Sequence, residues 1–216
     1  MDLKKIQEKI KEVRKNSKKR GFDQTFDMII NLQNIDLKKP EHKVDVGIVL
    51  PVNTKPKKLK ICAVIDHSIT GVENILEGVV YNTELAEMKG DMEKIRKIIH
   101  KYDKFIVQMN YMPLFAQVLG RYLGPMGKMP SPKLGMIINP KTDIKALSEK
   151  LNKTVHLQTK KNLVLQAAIG SEAEKDEVIA ENINKVMDTL LHALPNKNHN
   201  IKNIGIKLTM SKLEVL

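Results

Sequence analysis

The hydrophobic period of this chain changes twice, and no other feature restricts its fold as much. In TFDMIINL the apolar residues Phe26, Met28, Ile30 and Leu32 alternate with polar or outward positions. After the turn DLKKPEHK a second run alternates through Val44, Val46, Ile48 and Leu50. Alternation puts one face of a strand in a core and the other in water, so both runs predict half-buried strands. From residue 61 the period disappears. KICAVID, VVYN and KFIVQMN are short, nearly continuous apolar runs, separated by the helical stretches GVENILEG and MEKIRKIIHKY. Continuous runs are buried on both faces, which predicts a small parallel sheet covered by helices. MPLFAQVLGRYLG reads as the next helix and DIKALSEKLNK as another.

After residue 154 the alternation returns. TVHLQTK and LVLQAAIG are expected to form a hairpin about Lys160-Lys161-Asn162. EKDEVIAENINKVMDTLLHAL places Ile179, Ile183, Val186 and Leu190 on one helical face, and NIKNIG supplies turn chemistry before a last strand, IGIKLTM. The two ends of the chain thus resemble each other and differ from its middle. The economical arrangement is α/β with two domains. An outer domain is built from both termini, residues 1–60 plus 154–216, and an inserted α/β domain spans 61–153. Two linkers would join them, an arrangement that favours hinge motion.

Residues 2–19 put Leu3, Ile6, Ile10 and Val13 at helical spacing with lysines on the other faces, which predicts a basic amphipathic helix. That helix belongs to the most charged part of the chain. Residues 1–60 hold 16 Lys/Arg against 8 Asp/Glu, and so account for +8 of the net +12. Such an excess implies a polyanionic partner. Aromatic residues make up only 4% of the chain and there is no tryptophan, so a stacking platform for single-stranded bases is poorly supplied. A basic protein poor in rings is expected to read folded RNA by shape, through phosphates, sugar hydroxyls and backbone groups. Polar residues at strand ends then matter most, and GFDQTF and KLTMSK are the two such places.

Catalytic and cofactor chemistry find little to work with. GRYLGPMGKMPSPK, residues 120–133, looks like a phosphate loop, but Tyr122 stands where the first glycine belongs and Met129 where the hydroxyl belongs. Pro125, Pro130 and Pro132 remove three N–H donors that an anion nest would use. The stretch reads as a rigid basic connector that follows a helix. His42, His67, His100, His156, His192 and His199 show no ligand spacing with one another or with Cys62, so no metal and no cofactor are expected. Asp23, Asp27 and Asp36 read as solvated or capping carboxylates. The lone Cys62 lies in an apolar run as a small core residue, and it suits a reducing cytosol. No apolar run approaches the ~20 residues of a membrane span, so no membrane association is expected.

Taken together, RGFDQTFDMIINLQNIDLKKPEHKV, QMNYMPLFAQVLGRYLGPMGKMPSP and the terminal KLTMS resemble the large-subunit ribosomal protein L-one family, archaeal type, the protein of the mobile stalk beside the tRNA exit site. The similarity runs over essentially the whole chain, and the glycine-proline-lysine stretch is the family's signature. The resemblance implies a split β-α-β outer domain and an inserted Rossmann-like three-layer α/β domain. It implies a protein that is not an enzyme, is monomeric when free, and binds the ribosomal RNA of the stalk. Binding to its own messenger RNA, with repression of translation, and contact with exit-site tRNA are implied further. By motif, Phe22, Thr25, Thr209 and Met210 correspond to the family's RNA-contacting positions, with Lys19, Arg20 and Lys207 as flanking cations.

Three departures stand out. Ser211 occupies a position where the family usually has glycine, VLPVNTKPKK replaces a glycine-rich LPHG-type turn, and Gly21 precedes Phe22 where a basic residue is usual, with Arg20 one position earlier. A Rossmann-like insert also admits a second reading, a nucleotide- or metabolite-binding enzyme, although a fold does not by itself supply a site.

Overall fold

The structure is a computed structural model that describes residues 3–39, 42–52, 58–67, 69, 71–72, 75–139, 142–159 and 162–216. The chain is mixed α/β and divides into two compact units, one of residues 1–57 with 153–216 and the other of residues 58–152.

The first unit begins with α1 (Leu3–Asn16), in which Ile6, Ile10 and Val13 are buried while Leu3 stays exposed. β1 (Thr25–Leu32) follows, with Phe26, Met28, Ile30 and Leu32 inward in strict alternation. β2 (Asp45–Val49) pairs antiparallel with β7 (Thr154–Gln158) as a separate two-stranded ladder. β8 (Val164–Ser171), α6 (Asp176–Ala193), β9 (Ile201–Leu208) and the short β10 (Glu214–Val215) complete the unit. Its larger sheet is antiparallel, in the order β10-β9-β1-β8. Phe26 lies opposite Leu208, and Asp27 opposite Lys207. The inward phase of these strands meets Ile6, Ile10 and Val13 of α1 and Ile179, Ile183, Val186 and Leu190 of α6 in one apolar core.

The second unit contains β3 (Ile61–Ile65), β4 (Gly78–Tyr81), α2 (Asn82–Glu87), α3 (Met92–Lys101), β5 (Lys104–Gln108), α4 (Met112–Met126), β6 (Ile137–Ile138) and α5 (Ile144–Lys153). All of its strand pairs are parallel, in the order β4-β3-β5-β6. β3 is buried on both faces, as a continuous apolar run requires. Cys62 and Val64 point into one core with α3 and α4, whereas Ile61, Ala63 and Ile65 point into another with α5. Burial pushes the Cys62 thiol up to about 12, which keeps it a neutral core group.

Four local expectations are corrected. GVENILEG is not a helix among its described residues. Val72 and Leu76 are buried at helical spacing, but the spacing serves a single turn in which Ile75 and Leu76 N–H both donate to Val72 O at 3.0 Å. Glu73 and Asn74 lie outside the described residues. The hairpin of TVHLQTK with LVLQAAIG does not form, because β7 and β8 belong to different sheets. Thr159 turns to β2 instead: its N–H donates to Val44 O at 2.9 Å, and its hydroxyl accepts from Val44 N–H at 3.0 Å. Lys160 and Lys161 of the expected turn lie outside the described residues, as do residues 53–57 of VLPVNTKPKK.

NIKNIG is mostly strand. β9 starts at Ile201, and the chain reverses before it, where buried Asn200 accepts from Asn196 N–H at 2.7 Å and donates to Gln33 O at 3.2 Å. Gly205 in β9 lies under the Leu213 side chain, which would have to shift to admit a Cβ. Lastly, the first half of the 120–133 connector is helix. α4 runs through Pro125 to Met126 and ends at Gly127 in the left-handed conformation, with Gly127 N–H donating to Gly124 O at 3.1 Å. Pro125 lies inside this last turn and has no N–H to donate to Arg121 O.

Candidate nucleic-acid interface

β1 and β9 are paired antiparallel neighbours in the middle of the sheet, so the start of one and the end of the other lie at the same end of the sheet. Thr25 and Thr209 meet there across 184 residues of chain. Thr25 N–H donates to Thr209 Oγ1 at 3.1 Å, Thr209 N–H donates to Thr25 O at 3.1 Å, and the Thr209 hydroxyl also reaches Thr25 O at 3.3 Å. The Thr209 side chain is therefore part of the strand closure. The turn that follows presents Met210, 60% exposed, and Phe22 stands 54% exposed in the segment before β1. Both are available for contact with a partner, as Met109 and Val215 are elsewhere on the surface.

Gln24 organises this end of the sheet and was not singled out from the sequence as a site residue. It is 1% exposed and touches three separate segments. Its amide donates to Lys18 O at 3.4 Å and to Glu172 Oε2 at 3.3 Å, and its Oε1 accepts from Met210 N–H at 3.2 Å. Glu172 N–H in turn donates to Gln24 O at 2.7 Å. A signal existed. Gln24 continues the inward phase of Phe26, Met28, Ile30 and Leu32, and a polar side chain on an apolar phase must find internal partners. Arg14 fastens the neighbouring loop. Its guanidinium donates to Asp176 Oδ1 at 2.8 Å and to the carbonyls of Glu172 and Glu174, and it lies 5.1 Å from the centroid of the Phe26 ring. Nothing in the local sequence marks Arg14 for this, because its partners lie about 160 residues away.

Ser211 sits without backbone strain, since it is not among the residues with positive φ. Its hydroxyl folds back into its own turn, accepting from Leu208 N–H at 2.8 Å and lying 3.1 Å from Lys212 O. A serine here caps the end of β9. Lys207 is partly buried opposite Asp27. Desolvation raises the Asp27 carboxyl above the ordinary aspartate value, and the Lys207 charge opposes that shift. Lys19 and Arg20 are exposed after α1, and no hydrogen bond or ion pair ties Lys19 or Phe22 to the other site residues.

Beside this end of the sheet, a groove of about 440 Å³ runs between the end of α1 and the C-terminal turn; Arg20, Met210 and Ser211 line it. Thus Thr25, Thr209, Met210 and Ser211 are gathered in one place, and Arg20 joins them through the groove.

The lysine of the 120–133 stretch is committed elsewhere. Lys128 Nζ donates to Ile99 O at 2.8 Å and to Tyr102 O at 2.7 Å, so it neutralises the C-terminal end of α3. Among the described residues, no three His, Cys, Asp or Glu side chains are placed to hold a metal ion, and no helix is long and apolar enough to cross a membrane.

Comparison with known proteins agrees with the motif resemblance. Residues 13–212 match the model of the Ribosomal protein L1p/L10e family. Proteins named large ribosomal subunit protein uL1 from Pyrococcus horikoshii and Thermococcus kodakarensis are each 36% identical over 211 residues. Those alignments cover 97% of this chain, with 94% and 95% of the relatives. The protein of that name from Nanoarchaeum equitans is 36% identical over 208 residues, covering 94% of this chain and 95% of its own length. With matches of this extent to archaeal relatives, the chain belongs to the ribosomal protein L1p/L10e family and is of the archaeal type.

Proposed function

We propose that this chain is a constituent of the large ribosomal subunit and binds the ribosomal RNA of the mobile stalk through the shared end of β1 and β9. The observation that carries this reading is the gathering of Thr25, Thr209, Met210 and Ser211, which are far apart in sequence, beside exposed cations. Backbone and hydroxyl groups fixed at the end of a sheet suit recognition of folded RNA by shape, while Lys19, Arg20 and Lys207 supply phosphate attraction. The discontinuous unit is then the RNA-binding domain, and residues 58–152 form a Rossmann-like insert that adds charge without setting specificity. The relatives' names, which place them in the large subunit, support the ribosomal assignment. Members of this family are structural proteins, not enzymes, and with Lys128 bound to α3 no observation favours the nucleotide-binding reading.

The same surface would bind a structural copy of the stalk site on its own messenger RNA and thereby repress translation. Contact with exit-site tRNA belongs to the same proposal. The test is a competition between archaeal large-subunit ribosomal RNA and an unrelated structured RNA of equal length, titrated with salt. Preference for the ribosomal RNA is expected to persist as salt rises, because hydroxyl and backbone contacts release no counterions. Equal affinities and equal salt slopes for the two RNAs would sink the assignment.

A further inference from the structure

The groove between the end of α1 and the C-terminal turn has a polarity of its own. Lys18, Arg20 and Lys212 stand exposed around it, and none of the three is ion-paired among the described residues. Val13, 1% exposed, lies at its floor within the core, and Met210, 60% exposed, supplies its apolar surface. Glu214 lies on the same groove and is held by the Asn16 amide, which donates to Glu214 Oε1 at 3.3 Å. Cations and one fixed carboxylate therefore face a single space of about 440 Å³. That volume falls within the range of roughly 300–1,000 Å³ typical of small-ligand sites.

We propose that this groove takes one unpaired nucleotide of the bound RNA, with its phosphate among Lys18, Arg20 and Lys212 and the amino edge of its base on Glu214. The inference rests on the RNA-binding reading above and adds Lys18, Lys212, Glu214 and Asn16 to the contact surface. Three cations without partners call for phosphate. The carboxylate repels phosphate, so an RNA backbone cannot run the whole length of the groove. An acceptor fixed by Asn16 instead suits a base that offers an exocyclic amine, as cytosine, adenine and guanine do and uracil does not. The thioether of exposed Met210 provides a soft apolar surface for the face of the base. In an A-form helix the amino groups of cytosine and adenine lie in the deep, narrow major groove, which side chains cannot read, so a cytosine or adenine held by that edge is unpaired.

The experiment uses the full-length chain with archaeal large-subunit ribosomal RNA as probe, read by filter binding and by chemical footprinting of base edges. Two variants are compared with the wild type, the triple Lys18→Ala, Arg20→Ala, Lys212→Ala and the single Glu214→Lys. The substituted side chains are exposed or half-exposed, and the backbone of Lys18 still accepts from Gln24. Melting curves check that both variants fold.

The triple variant is expected to bind at least about tenfold more weakly, with a shallower salt dependence. It should lose protection of one unpaired nucleotide while the rest of the footprint stays. Glu214→Lys should lose protection of the amino edge of that same nucleotide while the rest of the footprint stays. Wild-type footprints from both variants would overturn the proposal, as would a uniform weakening with no nucleotide released, which is the signature of a diffuse field. If the wild-type chain leaves no footprint on this RNA, the RNA-binding reading fails and the groove assignment fails with it.

Discussion

The two units of this protein close their structures by different means. In residues 58–152 the helix ends are closed locally, and the longer closures, such as Leu59 N–H donating to Asn152 Oδ1 at 2.9 Å, span fewer than 100 residues. Asp91 caps α3 by accepting from Glu93 and Lys94 N–H at 3.1 Å, Asp143 caps α5 by accepting from Lys145 N–H at 2.9 Å, and Gly127 ends α4. In the discontinuous unit the closures join residues far apart. Gln24, Thr159 and Asn200 are all buried, and each bonds to backbone more than 100 residues away. Of the six buried polar residues among the described ones, five lie in this unit and only Gln108 lies in the other. The comparison teaches where recognition can reside. A surface built from distant segments exists only when the unit is folded, and the proposed RNA surface is of this kind, with its groups fixed where those segments meet.

The sharpest way to break the comparison is to damage one core at a time. Phe26→Ala and Phe105→Ala each remove a fully buried ring, and each should destabilise its own unit by about 3–5 kcal/mol. Only Phe26→Ala is expected to abolish selective RNA binding near physiological temperature. Thermal melts paired with filter binding separate the two outcomes, and equal losses of binding would show that the insert carries recognition too.

A smaller effect is expected from the hub itself. Gln24→Ala leaves Met210 N–H and Lys18 O without their partner and lets the turn move. A loss of about 1–3 kcal/mol in RNA affinity is predicted, with Thr209→Val in the same range because Thr25 N–H loses its acceptor. Thr209→Ser keeps the hydroxyl and should bind as the wild type does. Wild-type affinity in Gln24→Ala would remove Gln24 from the account of this surface.

Excision of the insert sharpens the comparison further. Val49 and Thr154 are opposed at the end of the β2–β7 ladder, and Leu50 N–H donates to Lys153 O at 2.9 Å. Residues 51–152 are therefore replaceable by an Asn-Gly hairpin turn. Because that stretch holds half of the net +12, absolute affinity should fall, by up to roughly tenfold at low salt. Preference for large-subunit ribosomal RNA should survive. A truncated protein that unfolds cooperatively yet binds all RNAs equally would move the recognition surface to the insert.

Ser211→Gly should change least. The serine hydroxyl is used within its own turn, so glycine loses one exposed capping bond worth about 0.5–1.5 kcal/mol of local stability and leaves RNA affinity unchanged. A clear gain in affinity would mean that the serine Cβ does hold the RNA backbone away.

Much of this was legible without a structure. The inward phase of β1, the buried stripes of α1 and α6, and the doubly buried run of β3 follow directly from the spacing of apolar residues, because side-chain direction along a strand or helix is a property of the local backbone. Phe22, Thr25, Thr209 and Met210 were expected as RNA contacts from the family resemblance of GFDQT and LTM, and of these the structure joins Thr25 to Thr209. Partner choice was not legible. Nothing within TVHLQTK says that it pairs with β2 and not with β8, and nothing near Lys128 says that its ammonium ends on α3. Likewise the roles of Gln24 and Arg14 depend on Glu172 and Met210, which arrive from the other end of the chain. Which strands become neighbours is decided by how all the apolar faces can be covered at once, and a buried polar side chain can be satisfied only by the groups that this packing brings to it. The periods of the elements were written residue by residue, whereas the shared end of β1 and β9 and the groove came into being only when the two ends of the chain met.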